Sequence, residues 1–363
     1  MRPGLRRVAR AEGAQAARSL RRARPWEGDP PVTGPAGLDS GRALGLASNI
    51  CSVPLHVDTP LIESHPLSLA SGRRIFLKLD ALQPAGSFKL RGIGHACEVH
   101  HARGARGFVS SSGGNAGLAV AYAGRRLGVP VTVVVPESST STARALLARE
   151  QATVIVHGAS WQEANELALS RVGADDAFIH PFDDPLLWHG HASMIDEVVA
   201  SGLTFDAVVV SVGGGGLMCG VAEGLRRHGL DHVPIVAVET TGAASLRAAI
   251  DAGELVTLDA ITSVATSLGA RRVAARALQW AQERPVQSVV VSDGEALDAC
   301  ERFLADHRMI VEPACGASLA LAYGPHEAVA AFERVLVIAC GGATATIDQI
   351  RQWARTAPAE VTP

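Results

Sequence analysis

The chain has 363 residues, 47% of them apolar and 19% charged, with a formal net charge of −3. That length suits two domains of about 100–200 residues each. The charge offers no field for nucleic acid, and no stretch approaches the roughly 18 consecutive apolar residues of a membrane helix.

Residues 1–48 carry eight arginines and one acid, Glu12, within the first 25 positions, then a Pro/Gly-rich stretch. With no apolar segment to act as a signal, this part is expected to be an Arg-rich disordered extension. From Pro54 onward β-rich runs alternate with helical ones. The pattern predicts a strand over 74–79, a helix over 87–102, a strand over 107–110 and a helix over 115–127 ended by Gly128. It then predicts strands over 130–135 and 152–157, with helices over 141–150 and 161–170. Farther on come a strand over 207–212, a helix over 217–228, a strand over 234–239 and a last apolar strand over 334–339. Such alternation means parallel sheets covered on both faces, with ligands beyond the carboxyl ends of strands.

Cysteines are six, none in a C-x-x-C pair and most within apolar runs. They read as buried free thiols of a reducing compartment, the cytoplasm. The pair His189 and His191 invites a metal reading, but without nearby Cys or carboxylate partners it reads better as polar residues near a helix start.

Of 33 Lys+Arg, only Lys78 and Lys89 are lysines. This rules out a G-x-x-x-x-G-K-[ST] phosphate loop. It also suggests that lysine survives where a guanidinium cannot serve, because only an amine can lose its proton and act as a nucleophile. Lys78 stands in no motif, and its survival reads as accident. Lys89 lies in Pro84–Gly92 (PAGSFKLRG), where Ser87 is an expected N-cap that sets Lys89 in a first helical turn, whose positive end favours the free amine.

Three further segments each leave a predicted strand. Ser110–Gly117 (SSSGGNAG) enters a helix and can cradle a carboxylate with backbone N–H groups and hydroxyls; an ordinary turn capped by Asn115 is the plainer alternative. Gly213–Leu217 (GGGGL) lets amides approach a phosphate. A dinucleotide site is its rival, with Glu239 placed as a ribose-binding acid, but the G-x-G-x-x-G spacing fails at Met218 and Cys219. The run Val335–Gly342 ends an apolar strand in Cys340 and two glycines, and a buried structural thiol is its commonest reading.

Taken in order, S-F-K, S-G-G-N-A-G, G-G-G-G-L and C-G-G resemble the fold-type II pyridoxal-phosphate enzymes, and within them the catabolic L-serine/L-threonine dehydratases. The resemblance runs from about Pro54 to about Ile350 and includes Pro181–Leu186, Gly190–Ser193, Glu239–Thr240, Thr262–Val264 and Val311–Gly316. It implies an α/β fold of the tryptophan synthase β type: two open parallel-sheet domains with the active site in the cleft between them. Residues 49–82 and 185–363 would form the large cofactor-binding domain, and 83–184 the small substrate-loop domain.

By the same resemblance, Lys89 holds pyridoxal 5′-phosphate as a Schiff base and Phe88 packs on the ring. Asn115 would bond the ring O3′, Gly213, Gly214, Gly215, Gly216 and Leu217 would hold the phosphate, and Cys340 would face the pyridine nitrogen. Ser112, Gly113, Asn115 and Ala116 would bind the substrate carboxylate, with Lys89, Ser112 and Gly113 catalytic. A monovalent cation, K⁺, would sit at Glu239, Ala243, Ser245, Leu268 and Ala270. Two positions depart from relatives: Gly113 stands where some carry Ala, and Thr344 where Ser or Asn is common. A methyl group at 113 is expected to fall beside the substrate carboxylate and β-carbon. The implied activity is β-elimination of L-serine to pyruvate and ammonia, and of L-threonine to 2-oxobutanoate, by a homodimer. Serine racemase, a β-replacement synthase and a non-catalytic cofactor-binding protein are the rivals. The chain ends soon after the Cys340 strand, leaving no expected place for a regulatory domain.

Overall fold

A computed structural model describes residues 53–356, so the extension expected over 1–48 lies outside the described residues. Ten strands are present there: β1 Leu61–Glu63, β2 Arg74–Lys78, β3 Gly107–Ser110, β4 Val131–Val135, β5 Thr153–Val156, β6 Asp176–Phe178, β7 Ala207–Ser211, β8 Ile235–Thr240, β9 Val286–Val291 and β10 Arg334–Ile338. The helices are α1 His65–Ser71, α2 Lys89–Ala102, α3 Asn115–Leu127, α4 Ser141–Arg149, α5 Trp161–Ser170, α6 Pro185–His191, α7 Ser193–Ala200, α8 Gly216–Arg227, α9 Ser245–Ala252, α10 Ala275–Glu283, α11 Asp293–His307, α12 Pro313–Ala320 and α13 Ile347–Thr356.

The strands form two sheets, one of six in the order β1-β2-β10-β7-β8-β9 and one of four in the order β5-β4-β3-β6. All pairings are parallel except that of β1 with β2. The fold is therefore α/β, as the alternation predicts. β3 and β7 are buried along their whole length and β10 at all but its first residue, because helices cover both faces; hence their continuous apolar runs. Each sheet has its own core around it, one built on Val208–Val210 and Leu336–Ile338, the other on Phe108, Val131 and Val133.

Two orderings position the site. In the small sheet, β3 sits between β4 and β6, so chain order reverses there, and the loop that leaves β3 opens into the resulting crevice. In the large sheet, β10 lies directly beside β7, which brings Cys340 close to the glycine loop although more than a hundred residues separate them. Alternation predicted nothing between 239 and 334, where the structure has α9 to α12 and the edge strand β9. β9 is only partly buried, so it lacks the apolar run that marks a central strand.

Candidate active site

Lys89 is the first residue of α2, and its N-cap is Phe88 rather than Ser87. The expected Ser87 cap is thus corrected. Ser87 is held instead by a backbone bridge to Gly341, and its buried hydroxyl has no hydrogen-bond partner among the described residues. Two further bonds join these segments: Phe88 N–H donates to the Cys340 carbonyl at 3.0 Å, and Gly342 N–H to the Gly86 carbonyl at 2.9 Å. The lysine segment and the C-G-G turn therefore form one piece of backbone.

The Lys89 amine donates to the Pro181 carbonyl at 2.6 Å and lies 5.1 Å from the Phe88 ring centroid. Burial pushes it from 10.5 down to about 8, against the opposing pull of Cys340 and Glu312. That depression corresponds to about 3 kcal/mol, several times the roughly 0.3–1 kcal/mol of a helix terminus. Desolvation, not the helix dipole, frees this amine.

A cavity of about 1190 Å³ opens at Lys89. Its walls include Phe88, Ser112, Gly113, Asn115, Ala116, Gly213 to Leu217 and Cys340, so the four motifs meet in one place. Asn115 begins α3, directly after Gly114. The turn before it is tight: a Cβ on Gly117 would lie 1.7 Å from the Ser112 carbonyl oxygen. Gly215, at φ +88°, is the N-cap of α8, and a Cβ on Gly214 would strike the Phe182 ring at 2.3 Å. At these three positions glycine is favoured.

A Cβ on Gly113 would meet the Ser139 hydroxyl, itself in the cavity wall, at 3.0 Å and Val135 Cγ1 at 3.2 Å. The Cys340 thiol is pushed well above its usual range by the Cys315 thiol beside it and by burial, which keeps it neutral. The five described cysteines are all free and buried.

Of the residues proposed for a cation, Leu268 and Ala270 line the cavity and Glu239, Ala243 and Ser245 do not. Glu239 is fully buried but not unpaired: its carboxylate accepts from Leu246 N at 2.7 Å and Arg247 N at 2.8 Å, at the start of α9. Burial still pushes it up to about 7. Ser245 Oγ is buried without a partner among the described residues. His189 and His191 stand in the last turn of α6, not near a helix start as the plainer reading expects, and they part company. His189 stacks on His95, whereas His191 is buried and accepts from Gly92 N–H at 3.1 Å. No group of three or more metal-ligating side chains occurs among the described residues.

Sequence reasoning missed Glu312. It is buried in the cavity wall, with Asn115 and Thr344 as partners. The only signal for it was its place in Val311–Gly316, which motif order could not connect to Asn115.

The family model described as "Pyridoxal-phosphate dependent enzyme" matches residues 53–341. Mouse serine dehydratase-like is 48% identical over 318 residues, covering 85% of this chain and 96% of its own. Human L-serine dehydratase/L-threonine deaminase is 47% identical over 309 residues, with 82% and 94% covered. The crystal structure of a fungal L-serine ammonia-lyase from Rhizomucor miehei superposes with a TM-score of 0.78 at 32% identity, covering 84% of this chain and 99% of that one. With a matched span that takes in Lys89, the glycine loop and Cys340, this chain belongs to the pyridoxal-phosphate dependent enzymes.

Proposed function

We propose that this protein eliminates water from L-serine to give pyruvate and ammonia, and from L-threonine to give 2-oxobutanoate, with pyridoxal phosphate held at Lys89. The observation that carries the reading is the buried Lys89 amine, lowered to about 8, in a cavity that also holds the glycine loop and the Ser112–Ala116 turn. The names and identities of the relatives support the same substrates.

The residues fit the cofactor. Besides the amine, the cavity has two buried hydroxyls, Ser87 and Ser211, with no partner among the described residues, as expected of a polar ligand's site. Gly213 to Leu217, at the start of α8, would hold the phosphate, and Phe88 and Asn115 would flank the ring. The bound cofactor supplies an electron-accepting ring that stabilises charge developing at the substrate α-carbon. The protein does the rest. The turn at Ser112, Gly113, Asn115 and Ala116 offers N–H groups to the substrate carboxylate. Lys89, uncharged in a larger share than an exposed lysine, takes the α-proton at Nζ. Cys340 stays a neutral thiol and is at most a weak donor.

The proposal extends to a K⁺ ion at Glu239, Ala243, Ser245, Leu268 and Ala270, supported by the partnerless Ser245 hydroxyl and the buried Glu239 carboxyl. It includes a large domain of 49–82 with 185–363 and a small one of 83–184, supported by sheet membership. A cytoplasmic homodimer completes it. The free thiols suit a reducing compartment, and no described helix is long and apolar enough to cross a membrane. Steady-state assays with L-serine, L-threonine and their D-forms test the whole. Oxo-acid and ammonia in equal amounts are expected. D-serine as the main product would mean a racemase, turnover only with a second nucleophile a synthase, and cofactor uptake without turnover a binding protein.

A further inference from the structure

Glu312 is a buried acid in the cavity wall to which no role has been given above. It precedes α12 and is 5% exposed. Its Oε1 accepts from Asn115 Nδ2 at 2.7 Å, and its Oε2 from the Thr344 hydroxyl at 3.2 Å. The turn after Cys340 is shaped around it, since a Cβ on Gly342 would lie 2.2 Å from the Glu312 carboxyl carbon. The second glycine of C-G-G makes room for this acid.

The other end of the Asn115 amide is fixed too. Its Oδ1 accepts from the Ala343 backbone N–H at 3.0 Å. A side-chain amide has an acceptor end and a donor end, so two neighbours of opposite kind select one orientation. A flipped amide would set its oxygen against a carboxylate and its NH₂ against an N–H. With the amide held this way, one Nδ2 hydrogen belongs to Glu312. The other has only the Ser267 hydroxyl at 3.4 Å, a long contact. It is the hydrogen left for an acceptor in the cavity.

We infer that Glu312 is a positioning residue whose carboxylate locks the Asn115 amide, so that Asn115 meets the bound cofactor as a hydrogen-bond donor and not as an acceptor. This rests on the reading of the cavity as the pyridoxal-phosphate site. Burial raises the Glu312 carboxyl, while Ser267, Thr344, Asn115 and the nearby Lys89 oppose that rise by favouring its ionised form. Cys340 is the other titratable group it influences in the cavity. All the side-chain groups bonded to it can donate, so the ionised form has a partner on each oxygen.

A double-mutant cycle on cofactor affinity tests this. Apoenzymes of the wild type, Glu312→Gln, Asn115→Ala and the double variant are titrated with pyridoxal phosphate. Glu312→Gln should weaken binding about tenfold, and Glu312→Asp should restore part of it. Because Glu312 acts through Asn115, the double variant should bind no more weakly than Asn115→Ala alone. The visible spectrum of bound cofactor should change in the same way in both single variants. Wild-type affinity in Glu312→Gln, or effects that multiply in the double variant, would overturn the inference. Should Glu312→Gln fail to fold, Thr344→Val replaces it in the same cycle, with about threefold weakening expected; additivity there overturns the inference equally. A wild-type apoenzyme that takes up no pyridoxal phosphate would instead bring down the cofactor site itself.

Discussion

The Lys89 amine, by burial, and the Cys340 thiol, by the Cys315 thiol beside it and by burial, are shifted in opposite directions and to one end. A buried base loses its proton more readily, and a buried thiol keeps its proton. Cofactor uptake by the apoenzyme needs the neutral amine, so its rate should rise with pH towards about 8 and level off above it, as followed by stopped-flow absorbance. Lys89→Arg should show neither uptake of this kind nor turnover, because a guanidinium stays charged. Borohydride should fix the cofactor on Lys89; an adduct on Lys78 would defeat the assignment. At Cys340 the proton state is expected to govern the reaction type. An aspartate there would keep a ring nitrogen protonated and hold charge at the α-carbon for longer, which favours reprotonation over loss of the β-hydroxyl. Cys340→Ala should keep much of the elimination activity. Cys340→Asp should slow it and bring up racemised or transaminated products. An aspartate variant that eliminates at the wild-type rate with no side products would show that Cys340 only fills space.

At the scale of elements, the three cavity-lining loops share one device. Each leaves the carboxyl end of a parallel strand, β3, β7 or β10, and turns through glycine. Two of them enter helices, α3 and α8, at their N-termini, where backbone N–H groups have no partner within the helix. The turn from β8 to α9 works differently, for there a side chain, Glu239, takes up N–H groups at the start of α9. Two backbone bonds offset part of the cost of burying that carboxyl, and K⁺ near it and the Ser245 hydroxyl would offset more. Activity and melting temperature should both rise in K⁺ relative to tetramethylammonium at equal ionic strength, and Ser245→Ala should shrink the difference. Identical behaviour in the two salts would leave Glu239 as a helix-capping acid only.

On the scale of the whole molecule, the cavity depends on α2 being held against the large sheet. Arg91, two residues beyond Lys89, does this from a fully buried position. Its guanidinium meets Asp80 at 2.7 and 3.0 Å, Ser193 at 2.9 Å and Thr59 at 3.1 Å, and it also pairs with Glu197. Lys78, at the end of β2, completes the cluster through Glu197 and through the Thr59 carbonyl at 2.6 Å. Two cations thus face two carboxylates, joining β2, α2 and α7. Removing one partner leaves a buried charge uncompensated, so Arg91→Ala should cost about 3–5 kcal/mol in denaturant unfolding. A loss under about 1 kcal/mol, the scale of an exposed pair, would mean that water enters the cluster. The survival of Lys78 in a chain so poor in lysine, which composition left as accident, has this packing reason.

Seven of the ten described strands, the glycine turns and the four motifs were legible because each is local. A central parallel strand must be apolar on both faces, a tight turn must be glycine, and an amine nucleophile must be lysine. These constraints act within ten residues and leave their mark on the order of letters. The cap of α2 was misread because Ser87 is claimed by Gly341, a partner 254 positions away that no local rule can see. Glu312, the Cys315 thiol beside Cys340, the bonding of Glu239 and the pairing of Lys78 were illegible for the same reason. By itself the sequence determined the family motifs and the order in which they come. Only the tertiary structure decided their charge and aim, because desolvation and hydrogen-bond partnership belong to the space a side chain occupies and not to its neighbours in the chain.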